Sequence, residues 1–267
     1  MSELREHALT TARALPGLLR EVAAARPRPI LVAGAGAAAG DVASAFSRGG
    51  DPGLVRRVFL FELSEAAEAA ALVYVIDGAP TPADEGALRE ADWRRVPTVC
   101  LLLGQRSGET LPYVRATDVV RADRVDEEAL AALARRVAAG AGETAWCLAR
   151  DLPALRGPLA ESLVSGYARR NALAGAAAAP GRGMPVLTAN QLRMILRVAG
   201  AHGVELRGAG LLPLAAVAGA ALAFRGLARR LGGLGVLPAA LVDAGVAYAG
   251  TRLLGEAARA VLGRERR

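Results

Sequence analysis

An α/β domain with a three-layer parallel sheet, followed by an all-α helical domain, is the fold this sequence predicts. Three observations carry it. Short apolar runs at residues 30–33, 58–63, 71–76 and 97–103 alternate with turn residues and helical stretches. The runs are continuous rather than alternating, which is the pattern of strands buried on both faces and hence of a parallel sheet. From residue 143 onward the strand-like runs stop, and helical spacing continues to the end. The division expected is 1–142 and 143–267, each part long enough to bury a core of its own.

Residues 3–24 read as a surface helix, with Leu4, Ala8, Ala12, Leu15, Leu19 and Val22 at helical spacing and an interruption near Pro16. The first strand, 30–33, runs into a turn containing Gly34, Gly36 and Gly40 and then a helix over 41–48. Strand, glycine turn and helix in that order have the shape of a phosphate-binding turn. Strands over 58–63 and 71–76 come next. The chain from 63 to 70 is shorter than the dozen or so residues of a usual parallel crossover, so this connection is either truncated or a hairpin. Helices are expected over 83–94 and 126–139, the latter with Leu130, Leu133 and Val137 on one face, around a strand at 97–103 and a fifth within 113–120.

Net charge is +7, which raises nucleic acid or an anionic surface as a partner. Every one of the 33 basic residues is arginine, and only three isoleucines and two asparagines occur, the signature of GC-rich coding. The arginines are interleaved with Asp and Glu, and aromatics make up only 4% of the chain. No basic block with stacking aromatics results, so no nucleic-acid partner is expected. Cys100 lies in an apolar run and reads as a buried thiol; Cys147, His7 and His202 share no metal-ligand spacing with it. The charged start of the chain is not an export signal, and the cytoplasm is the expected compartment.

Tyr74-Val75-Ile76-Asp77-Gly78, then Thr81-Pro82-Ala83-Asp84-Glu85, then residues 96–103 resemble the framework of Era-like GTPases of the translation-factor-related branch. That resemblance implies four nucleotide motifs, and the chain departs from each. A working phosphate loop is Gly-x-x-x-x-Gly-Lys-Ser/Thr, the lysine neutralising phosphates and the hydroxyl holding magnesium. With Gly40 as the second glycine, Asp41 takes the lysine position and Val42 the hydroxyl position. Glu62-Leu63-Ser64-Glu65 replaces the terminal-phosphate sensor, Gly104-Gln105-Arg106-Ser107 the guanine reader, and residues near Arg115-Ala116-Thr117 the last element. The expectation is therefore a non-hydrolysing, GTPase-like domain that needs no cofactor. Gly34, Gly36, Gly40 and Asp77 are its vestigial phosphate-loop residues, with Asp77 read as a strand-end carboxylate that caps the next helix or as the relic of a magnesium site.

A second reading uses the same turn. Gly34-Ala35-Gly36-Ala37-Ala38-Ala39 satisfies the Gly-x-Gly-x-x-Gly/Ala fingerprint of an NAD(P)-binding, Rossmann-type protein or oxidoreductase. It predicts a sheet ordered 3-2-1-4-5 with an acidic residue, Glu62 being the best candidate, beside the turn.

In the second half, residues 143–152 and 158–177 read as helices, the latter with Leu159, Leu163 and Tyr167 four apart. A linker over 179–185 precedes Thr188-Ala189-Asn190-Gln191, a capping-box pattern that opens a helix. That helix is expected to bury Leu192, Ile195, Leu196 and Ala199, expose Arg193 and Arg197, and stop at Gly203. Residues 187–203, with Leu211-Leu212-Pro213, residues 224–229 and Ala247-Tyr248-Ala249-Gly250-Thr251-Arg252, resemble a bacterial domain of unknown function attached to Era-like GTPases and found in YcjF-type proteins. Thr188, Asn190, Gln191, Gly203, Tyr248 and Thr251 are the signature positions of that resemblance, read as capping and packing residues. Residues 208–224 and 231–251 are apolar enough to form either a membrane hairpin around the arginines of 225–230 or a buried pair of helices. The function expected is that of a non-catalytic binding or scaffold protein, cytoplasmic or at the inner membrane, whose helical domain meets a protein partner or a membrane surface.

Overall fold

The computed structural model describes residues 16–22, 24–59, 68–104, 110–142, 145–177, 184–204 and 239–264. The chain divides into two compact units, residues 26–159 and residues 1–25 with 160–267. Composition changes at 142/143, but the boundary in space falls later. Residues 145–151 remain with the sheet because the Asp51 N–H donates to the Asp151 carbonyl at 2.9 Å, and Gly50 leaves a side chain no room against that same oxygen.

The first unit is an α/β fold with five parallel strands in the order β2-β1-β3-β4-β5: β1 Ile30–Gly34, β2 Val55–Arg57, β3 Ala71–Asp77, β4 Thr98–Leu103 and β5 Val119–Ala122. Continuous apolar sequence makes β1, β3 and β4 the centre. Leu31, Leu72, Tyr74, Cys100 and Leu102 are buried with Ala87, Leu88 and Ala91 of helix α2 (Pro82–Trp93) on one face. Ile30, Val32, Val73, Val75, Val99 and Leu101 on the other face are equally buried, so the sheet is covered on both sides. Each such aliphatic side chain removed from water contributes roughly 1.5–3 kcal/mol. Helix α1 (Gly36–Ser47) packs on β1, β2 and β3, and α3 (Glu127–Gly140) on β3, β4 and β5. A short helix, α4 (Trp146–Asp151), has its first four residues buried.

Two expectations for this unit are corrected. The second strand is Val55–Arg57, ahead of the expected 58–63, of which residues 58 and 59 are not strand and 60–63 lie outside the described residues; two exposed arginines give Val55–Arg57 no apolar signature, and it exists because Ile30, Leu31 and Val32 of β1 pair with it. Its pairing is parallel, so β2 and β3 run in the same direction and are not the two arms of a hairpin, and the crossover from Arg57 to Ala71 has the usual length. The first helix starts at Gly36 rather than 41, because the alanines among the glycines favour helix. The fifth strand lies at the end of, and just beyond, the window predicted for it.

The second unit is helical. Its described parts are residues 16–22 and 24, most of α5 (Pro153–Ala177), α6 (Met184–Ala201) and α7 (Ala239–Arg264). Helix α6 begins four residues before Thr188, so Thr188 is an interior residue and not a cap. The end of α6 is as expected: the Val204 N–H reaches back to the Ala199 carbonyl and Gly203 takes φ +65°. Among the described residues, no helix is long and apolar enough to cross a membrane. The stretch 208–224 and the first residues of 231–251 lie outside the described residues.

Candidate functional site

The carboxyl edge of a parallel sheet, where strand order reverses, is the first place to look for chemistry. In the order 2-1-3-4-5 that point lies between β1 and β3. Gly34 closes β1 at φ +109°, and a Cβ there would stand 1.9 Å from the Val75 carbonyl oxygen, so only glycine fits. The ladder continues one residue further, the Ala35 N–H donating to Val75 O at 2.9 Å, and α1 then begins at once. Gly36 is its first residue and Gly40 is one turn inside it, with Asp41 exposed beside it. The chain that would circle a phosphate is therefore wound into helix. Arg57, the last residue of β2, reaches across the start of α1 and donates to the Gly36 carbonyl at 2.6 Å.

Asp77 ends β3 and is exposed, but it does not cap the next helix. Thr81 and Asp84 do so reciprocally: the Asp84 carboxylate accepts from the Thr81 N–H at 2.8 Å and its hydroxyl at 2.6 Å. Asp84 also accepts the Tyr74 O–H at 2.8 Å, which ties the helix start to the buried middle of β3. Burial first, and that hydrogen bond second, hold the Tyr74 phenol well above its ordinary range. Burial likewise pushes the Cys100 thiol up to about 12, with the charges of Asp84 and Asp118 adding to it. Neither group is disposed to ionise near neutrality. Among the described residues there is no cluster of three metal-ligating side chains.

The helical unit holds a different constellation. Thr251 of α7 is fully buried, and its hydroxyl is used to capacity. It accepts from Asn171 Nδ2 of α5 at 2.9 Å and from Gln191 Nε2 of α6 at 3.0 Å, and donates to the Ala247 carbonyl at 2.7 Å. Asn190 Nδ2 donates to Asn171 Oδ1 at 2.9 Å. One hydroxyl thus joins three helices. Both asparagines of the chain take part.

Close backbone approach makes this possible. A Cβ on Gly175 would meet the Asp243 carbonyl at 2.9 Å, and one on Gly255 would meet both Val164 methyls at 2.5 Å, so α5 and α7 run antiparallel in contact on either side of the Asn171–Thr251 pair. The bonds from Asn171 and Gln191 to Thr251 sit in a low-dielectric interior, where removing the shared acceptor is expensive.

Asn190, Gln191 and Thr251 are thus brought together. Of the other signature positions, Tyr248 is 40% exposed, Gly203 belongs to the turn after α6, and Thr188 lies in the first half of α6. Asn171 had a legible signal: it extends the stripe of Leu159, Leu163 and Tyr167 by one more step of four, a polar residue on an apolar face. Arg197, expected to be exposed, is buried. Its guanidinium lies 5.8 Å from the Tyr167 ring centroid and 2.6 Å from Glu21, a partner far away in sequence. No family model, curated protein or solved structure matches this chain.

Proposed function

We propose that the protein is a non-catalytic binding or scaffold protein, built from a GTPase-like α/β unit that has no phosphate loop and a helical unit of the YcjF-linked type that meets a protein partner or a membrane surface. The start of α1 one residue after Ala35 carries this reading. It removes the loop that would wrap a triphosphate, and it leaves Asp41 where a lysine would be needed. The helical unit supports the reading from the other side, since its buried polar groups are spent on holding helices in register. Isothermal titration with GTP, GDP and ATP, with and without magnesium, tests it: no heat is expected, and micromolar binding of any of the three refutes it. Vesicle flotation and capture from the native cell then separate a membrane surface from a protein partner.

A specific geometry favours NAD(P) binding as the second reading. Gly34 at the tight turn, Gly36 opening α1 and Ala39 buried at the helix–sheet contact occupy the three roles of the dinucleotide fingerprint. Against it, the sheet order is 2-1-3-4-5 and not the predicted 3-2-1-4-5, and β2 ends in Arg57 rather than a carboxylate. Glu62 lies outside the described residues. An arginine at that place suits a ribose 2′-phosphate, so NADPH binding that exceeds NADH binding and is lost in Arg57→Ala is the outcome that would select this reading.

A further inference from the structure

We draw no further inference here: the strongest candidate, the outward face of α7 on which Leu253 is 55% and Val261 38% exposed, is an apolar helix surface, and nothing in the structure shows what covers it.

Discussion

Replacing Thr251 by valine keeps the shape of the side chain and deletes one hydroxyl. The amide donors of Asn171 and Gln191, at 2.9 and 3.0 Å, then face a methyl group inside the helical unit. A buried donor left without a partner costs about 1–3 kcal/mol, so two give roughly 2–5 kcal/mol after partial relaxation. The Ala247 carbonyl loses little, since its helical backbone bond remains. Thr251→Ser keeps the hydroxyl and removes one methyl, at a cost of about 1 kcal/mol. Urea unfolding measures both variants, using two probes. Trp93 and Trp146 are the only tryptophans, and both lie in unit 26–159, so fluorescence reports that unit while circular dichroism also sees the helical one. The part of the dichroism transition that fluorescence does not follow should move to lower urea by about 1–2 M in Thr251→Val. A shift in Thr251→Val no larger than that in Thr251→Ser would refute the assignment, because the methyl and not the hydroxyl would then be what holds the helices.

Three further outcomes follow from the packing. Gly34→Ala should lower the stability of the α/β unit by more than about 3 kcal/mol or prevent folding, since its Cβ would overlap the Val75 carbonyl, whereas Gly36→Ala, with open space around it, should cost only about 1 kcal/mol for its positive φ; tryptophan fluorescence in urea reads both. Gly255→Ala should destabilise the helical unit through Val164, and Val164→Ala in the same chain should recover part of the loss, as a double-mutant cycle by circular dichroism would record. Alkaline pH should weaken the α/β unit. Cys100 titrates near its ordinary value when unfolded and only at about 12 when folded, so its contribution is complete below pH 9 and is lost as pH rises toward 12. Tyr74 shifts in the same direction, and Cys100→Ala should flatten the pH dependence of the urea midpoint over that interval.

Much of the α/β unit was legible, and the reason is local. β1, β3 and β4 begin and end within one residue of the runs that predict them, because strands buried on both faces must be continuously apolar. Helices α2 and α3 likewise follow their N-terminal caps, Thr81 and Asp126. β2 could not be read, since Val55-Arg56-Arg57 owes its extended form to the neighbour it pairs with. The phosphate-loop reading of Gly34, Gly36 and Gly40 depended on where a helix nucleates, and glycine spacing alone does not fix that point.

The helical unit divides in the same way. Sequence alone determined its class, the helical spacing of α5 and α6, the stop near Gly203 and the residues Asn190, Gln191 and Thr251 as ones to watch. Only the tertiary structure decided that those three converge with Asn171 on one hydroxyl, and that Arg197 turns inward to Glu21. Amphipathic spacing encodes which face of a helix leaves water. A polar group on that face is tolerated only if another segment supplies its partner, and these partners lie 60, 80 and 176 residues away. Local pattern cannot specify such pairings; the geometry of close-packed helices does.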